Sequence, residues 1–254
     1  MEHEFPQRAA WHAFPDVLIC APESDVKNHP DYEQAKEGNL QDSAPAAKRL
    51  SSDMVPVKAV AALRLVTPAA AKLVPVHALE HQGINRIPAA LAELLGEALG
   101  VPVETSIIQV NVVNHTGASG WHRMSSPPLF DGAVDRNRPY VLVDDFIGQG
   151  GTLANLRGHV MHHGGTVVGA ICLTGRADSA KLALSNQTLD SLRRSMGLKS
   201  KNGGAKTSAT TSHASPKAKR DISFVSRMLT PSERAFVKRD LQETIEVAKR
   251  TKTG

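Results

Sequence analysis

Cysteine is scarce in this chain. Cys20 and Cys172 are its only cysteines, far apart and each inside an apolar run. With no CxxC pair they read as small buried hydrophobes, which excludes a zinc ribbon or a dithiol redox centre and implies a reducing interior. No stretch approaches the length of a membrane-spanning helix, and the opening Met1-Glu2-His3-Glu4-Phe5-Pro6 lacks the basic-then-apolar pattern of a signal peptide. The expectation is a soluble, cytoplasmic protein with no membrane partner. Also missing are the Gly-Lys-Ser/Thr of a Walker A loop and the Gly-x-Gly-x-x-Gly of a dinucleotide fingerprint. The glycine-rich turn that the chain does possess, after Ile147, therefore belongs to neither class.

What is present is enough for one sizeable core: 254 residues, 41% of them hydrophobic. One catalytic domain with appendages is the simplest reading. A net charge of +5 and a pI near 9.3 permit a polyanionic partner or a pyrophosphate-bearing substrate without choosing between them.

The chain is organised around residues 139–165. Pro139-Tyr140-Val141-Leu142-Val143 is a short apolar, β-branched run with the pattern of a buried parallel strand, and it ends in two carboxylates, Asp144 and Asp145. Phe146-Ile147 follows, then Gly148-Gln149-Gly150-Gly151, whose glycines allow a tight turn. Thr152 can open a helix with Leu153, Leu156, Val160 and Met161 on one face, stopped by Gly164-Gly165. A helix N-terminus carries unpaired N–H groups and a partial positive charge, and glycines admit a phosphate without a Cβ in its way. Carboxylates one strand end away can accept hydrogen bonds from ribose hydroxyls, directly or through a hydrated Mg2+. That order suits a phosphorylated sugar.

Residues 141–152 resemble the phosphoribosyl-pyrophosphate signature of type I phosphoribosyltransferases: a hydrophobic strand, two acids, two apolar residues and a small-residue loop ending Gly-Gly-Thr, with no gap. The resemblance implies an α/β fold with a mainly parallel central sheet flanked by helices, a variable hood, and the ligand at the carboxyl ends of the strands. It implies an enzyme of nucleotide metabolism, a homo-oligomer and specifically a dimer. With Mg2+ as cofactor, that enzyme displaces pyrophosphate from phosphoribosyl pyrophosphate by a nitrogen nucleophile. Asp144 and Asp145 are then catalytic and metal-binding, and Phe146, Ile147, Gly148, Gln149, Gly150, Gly151 and Thr152 bind substrate. Purine-salvage members often carry an acid where this chain has Gly148, a departure from their pattern.

Upstream, residues 16–20 are a short strand candidate, and 31–37 and 44–50 are helix candidates. Residues 57–66 are apolar enough for either type. By the resemblance, residues 1–70 are assigned to the hood, with Trp11, Phe14 and Tyr32 as candidates for stacking on a base against the alternative of simple packing. Residues 72–77 read as a strand and 78–85 as a loop. Residues 86–100 read as a helix with Asn85 as N-cap, Pro88 in its first turn and Gly100 as its stop. Its stripe is Ile87, Leu91, Leu94, Leu95, Ala98 and Leu99. The resemblance makes this the first βα unit, with His81 and Arg86 binding substrate and His77 a further electrostatic candidate. Gly83-Ile84-Asn85 is similar in particular to the competence-protein-F-like amidophosphoribosyltransferase branch. Residues 105–113 read as a β-branched core strand. By position, 114–124 match the family's mobile catalytic loop, with Arg123 as a catalytic cation and His115 and His122 beside it.

Residues 166–173 read as the next parallel strand and 188–197 as a short helix, which closes a core spanning 71–198. From 199 to 220 the chain is rich in Lys, Ser, Thr, Gly and Ala and holds no acid, the composition of a flexible basic linker whose contact with nucleic acid is weak. Within 221–254, Thr230-Pro231-Ser232-Glu233 is a capping box, and Val237, Leu241, Ile245 and Ala248 line one face of an amphipathic helix. Two other functions stay open from the sequence. One is a sensor that binds phosphoribosyl pyrophosphate or a nucleotide without turnover; the other is a nucleic-acid-associated accessory protein acting through the basic linker.

Overall fold

Strands β7 (Pro139–Ile147) and β8 (Thr166–Gly175) form the middle of a four-stranded sheet, with β1 (Leu18–Ala21) beside β8 and β2 (Lys72–Pro75) beside β7. All three pairings are parallel. The computed structural model describes residues 8–37, 42–77, 79–80, 83–111 and 127–183. Helices α1 (Glu23–Lys27), α2 (Tyr32–Glu37), α3 (Ser43–Met54), α4 (Val57–Val66), α5 (Ile87–Leu99) and α6 (Gly151–His162) surround the sheet. Two short antiparallel pairs, β3 (Leu79–Glu80) with β4 (Gly83–Ile84) and β5 (Ile108–Gln109) with β6 (Phe130–Asp131), and a 3-10 turn at Ala177–Ser179 complete the described elements. This is the α/β architecture expected, a mainly parallel sheet covered on both faces.

Coverage on both faces explains why the strands read as continuous apolar runs rather than alternating ones. Tyr140, Val141, Leu142 and Val143 are all fully buried. Val141, Val143, Ile171 and Leu173 join Leu50 of α3 and Leu91 and Leu95 of α5 in one core cluster. Tyr140, Leu142 and Cys172 join Trp11, Phe14 and Leu153 and Leu156 of α6 in the other. Helix α5 starts where Asn85 Oδ1 accepts the Ile87 N–H at 3.1 Å, though the cap position itself is Arg86, and it stops at left-handed Gly100 (φ 73°). The ambiguous segment 57–66 is helix α4.

Several expectations change. Residues 1–70 supply β1 to the sheet and Leu50 and Leu63 to the core, so a boundary at 70 does not separate a cap from the core at these elements. Trp11 and Phe14 are buried against each other, with ring centroids 5.0 Å apart and the Arg157 guanidinium over both; they pack rather than await a base. Of the long strand expected at 105–113, the described residues 105–111 hold only the two of β5, paired away from the central sheet. Instead Val103 bridges Leu73 at the β2 edge. The stretch 78–85, read as a loop, holds the β3–β4 pair. Met161 is 37% exposed and leaves the stripe of α6, whereas Leu153, Leu156 and Val160 are buried. Ala98 likewise leaves the stripe of α5 for the exposed side. Both cysteines are buried and free, and burial pushes the Cys20 thiol up to about 12. The helix expected at 188–197, the basic linker and the C-terminal helix lie outside the described residues. Among the described residues no helix is long and apolar enough to cross a membrane.

Candidate functional site

The site grows from the carboxyl end of β7, where the strand leaves the sheet between the ends of β2 and β8. Pro75 pairs with Val143 there, and Cys172 with Asp144. Asp145 turns toward the start of α5. Its Oδ2 accepts a hydrogen bond from Asn85 Nδ2 at 2.8 Å and another from the Lys36 ammonium at 3.0 Å. Lys36 is brought in by α2, which is tied to the same helix start because the Arg86 N–H donates to the Ala35 carbonyl at 3.2 Å. Both side chains of this ion pair are largely shielded, 20% exposed for Lys36 and 13% for Asp145.

The two acids differ in charge. Asp144 is 5% exposed, and its Oδ1 accepts the Asp145 backbone N–H at 2.9 Å. Burial, and next the charge of Asp145, push the Asp144 carboxyl well above the carboxylate range, which favours its protonated form beside its neighbour. Burial opposes ionisation of Asp145 too, but the Lys36 charge and the bonds from Asn85, Asp144 and Lys36 outweigh it and keep that carboxyl below its ordinary value. The two acids are thus pushed in opposite directions, Asp144 toward its protonated form and Asp145 toward its charged form beside the Lys36 ammonium.

The loop follows at once. Gly150 takes up a left-handed conformation (φ 76°) as the N-cap of α6, a region that costs a side-chain-bearing residue, and no side chain caps the helix. The Gly150 carbonyl accepts the first helical bond, from the Ala154 N–H at 3.0 Å. The N–H groups of Gly151, Thr152 and Leu153 precede that first bond and belong to the unpaired first turn. Gly148, Gln149, Gly151 and Thr152 are half-buried around it. Phe146 lies part-exposed, with the Lys27 ammonium 5.7 Å from its ring centroid. Ile147, expected to bind substrate, is 1% exposed and packs in the core. It lies so close to Gly175 that a Cβ there would come within 2.2 Å of its Cγ2. Its side chain is structural.

Arg86 and His77 stand at the ends of α5 and β2 nearest the acids, and the Arg86 Nε and His77 Nε2 atoms are buried without a hydrogen-bond partner. Burial first, then the nearby Arg86 charge, lower the His77 pKa. His81, Arg123, His115 and His122 lie outside the described residues. Lys36 was not expected in the site at all, and Asn85 was expected only as a cap.

Direct ligation of Mg2+ does not fit the two acids. The Lys36 ammonium already pairs with Asp145, whose Oδ2 is taken by two donors, and Asp144 is buried with its Oδ1 bonded to the Asp145 N–H. Mg2+ requires ionised, sterically free oxygens in near-octahedral array. Among the described residues no group of three or more His, Cys, Asp or Glu side chains is gathered to hold a metal.

No protein-family model matches the chain. An uncharacterized protein of Haemophilus influenzae is 43% identical over 149 residues, which are 58% of this chain and 32% of that protein. Protein TraN of Escherichia coli is 37% identical over 184 residues, 72% of this chain and 40% of that protein. The chain thus spans well under half the length of these curated relatives. Among solved structures, a purine phosphoribosyltransferase from Pyrococcus horikoshii aligns with a TM-score of 0.33 at 20% identity, covering 46% of this chain and 68% of its own. An adenine phosphoribosyltransferase from Leishmania tarentolae aligns with a TM-score of 0.32 at 16% identity, covering 59% and 60%.

Proposed function

We propose that the chain binds phosphoribosyl pyrophosphate at the carboxyl end of β7 and transfers its phosphoribosyl group to a nitrogen nucleophile. The observation that carries this reading is the first turn of α6, entered through left-handed Gly150 with no side-chain cap, one short loop beyond Asp144 and Asp145. Backbone N–H groups of that turn are suited to the 5′-phosphate, where the helix dipole adds to their attraction. Asp145 accepts from the ribose hydroxyls. Arg86, the N-cap residue of α5 with its Nε buried without a partner, is the cation assigned to pyrophosphate in this reading. The similarity of Gly83-Ile84-Asn85 to the competence-protein-F-like branch supports the same placement of the β2–α5 connection.

In the reaction the bond from ribose C1 to the pyrophosphate oxygen breaks, and the electron pair leaves with pyrophosphate. The acceptor nitrogen forms the new bond to C1 and gives up a proton. Positive charge grows on the ribose ring as this happens, and the ionised Asp145 beside it stabilises that charge. Catalysis in this reading is positioning and electrostatics.

The test is pyrophosphate release from phosphoribosyl pyrophosphate across a panel of bases and amines, run beside calorimetric binding of the same compound. Release with one acceptor class and its loss in Gly150→Ala is the expected result. Binding without release for any acceptor overturns the transfer and leaves a sensor; no binding overturns the site.

A further inference from the structure

The chain supplies its own cation to the second motif acid. We propose that Lys36 occupies the position at Asp145 that a divalent ion would need, so that the site takes a 5-phosphorylated ribose without Mg2+. This inference rests on the function proposed above and fixes its cation requirement.

Three observations carry it. The first is geometric: Lys36 Nζ and Asn85 Nδ2 lie 3.0 and 2.8 Å from the same Asp145 oxygen. A metal on that carboxylate would have to displace the lysine or sit beside it, cation against cation. The second is that Lys36 is built in rather than draped over the surface. Its neighbour Ala35 is fully buried in the core, the Ala35 carbonyl is bonded by the Arg86 N–H, and α2 is packed on α3. The docked helix fixes the backbone position from which the lysine stem reaches Asp145. The third is the state of Asp144, 5% exposed and engaged with the Asp145 backbone, which gives a metal no second carboxylate to share.

An ammonium also suits the ligand. It lowers the repulsion between a phosphate dianion and the acids while leaving Asp145 ionised to accept from a ribose hydroxyl. A point charge with rotatable donors does this without the several waters that Mg2+ retains.

The experiment compares wild type with Lys36→Gln and Lys36→Arg, each checked by thermal melting. Ribose 5-phosphate is titrated calorimetrically in EDTA and in millimolar Mg2+, and Mn2+ alone is titrated by electron paramagnetic resonance. Wild type and Lys36→Arg are expected to bind the sugar phosphate with affinities that change less than about twofold between EDTA and Mg2+, and to take up no Mn2+. Lys36→Gln is expected to bind about tenfold more weakly in EDTA, to recover on adding Mg2+, and to take up Mn2+. Wild-type binding that requires Mg2+, or Mn2+ uptake by wild type equal to that of Lys36→Gln, overturns the role of Lys36 while leaving the proposed function standing. Absence of sugar-phosphate binding in all proteins and both conditions overturns the proposed function itself.

Discussion

Converting each motif acid to its amide separates the two residues more sharply than their adjacency suggests. Asp145→Asn keeps the shape but removes the carboxylate charge paired with the Lys36 ammonium, whose side chain is 20% exposed. Breaking a buried ion pair on one side costs ~3–5 kcal/mol, and the residual exposure here brings that to about 2–4 kcal/mol. For a protein of this size that is a fall in Tm on the order of 10 °C. Asp144→Asn has the opposite expectation. Asp144 accepts the Asp145 N–H, and in the protonated form that its raised pKa favours it donates to Asp145; an asparagine amide can do both without a charge to desolvate. Stability at pH 7 should be unchanged or higher. The pH dependence follows from the same shifts. Asp144 has a folded-state pKa above its ordinary 3.8. It therefore favours folding fully below that value and progressively less as pH rises through the folded pKa, so the advantage of Asp144→Asn over wild type grows from pH 4 to pH 7. Asp145 has a folded-state pKa below 3.8. Its contribution is present above that value and lost as pH falls through the folded pKa, so the deficit of Asp145→Asn shrinks on acidification. Urea unfolding followed by circular dichroism at both pH values reads all four quantities. Equal losses for the two variants at pH 7, or a larger loss for Asp144→Asn, would refute this account of the charges.

Two further substitutions test the elements that shape the site. Gly150→Ala puts a Cβ on a residue at φ 76° and should cost roughly 1–2 kcal/mol in thermal unfolding; an unchanged melt would mean that the left-handed turn is not needed. Arg157→Met removes a guanidinium whose Nη1 donates to the Ala9 and Ala10 carbonyls at 3.2 and 2.9 Å and which stacks 4.8 Å from the Trp11 ring centroid. The loss should be about 2–3 kcal/mol, with red-shifted Trp11 emission in a Trp121→Phe background as residues 9–14 loosen. Emission that does not move would show that these residues are held without Arg157.

The parts of the fold that could be read from sequence are those whose cause is local. β7 and β8 are buried on both faces, so their apolar runs declare them, and the acid–glycine–threonine spacing declares the loop because strand, turn and helix start are consecutive. Partners distant in sequence leave no such trace. Asp145 is 109 residues from Lys36 and 60 from Asn85, and nothing in the polar pattern of α2 marks one lysine as the one that turns inward. Membership of β1 in the sheet was hidden for the same reason, since periodicity names a strand and not its neighbour. The misread segment 105–113 has β-branched composition without matching burial: Ile107 is fully buried, but Ile108 and Val110 are 48% and 46% exposed. Glu104 diverts the chain there. Its carboxylate accepts from the Ser106 N–H and hydroxyl at 2.9 and 2.7 Å and is paired with Lys72 at 2.7 Å. The Glu104 N–H still donates to the Leu73 carbonyl at 2.7 Å, so the backbone turns away from β2 after Glu104.

The position of β1 at the far side of β8 also sets a timetable for folding. The Thr174 hydroxyl donates to the carbonyl of Ala21, 153 residues earlier, and every residue of β1 that pairs does so with β8. During synthesis at about 5–20 residues per second, β1 waits roughly 8–30 s for its strand neighbour among the described residues to be made. Contacts this distant are closed late because the loop entropy must be overcome before they stabilise anything. The glycine loop and its acids emerge before β8 does, so the nascent chain carries the motif ahead of the sheet that holds it in place. Slow association of Leu18–Ala21 with a finished β7–β8 pair is the expected last step, and destabilising that edge should lengthen the interval in which the site is exposed and unformed.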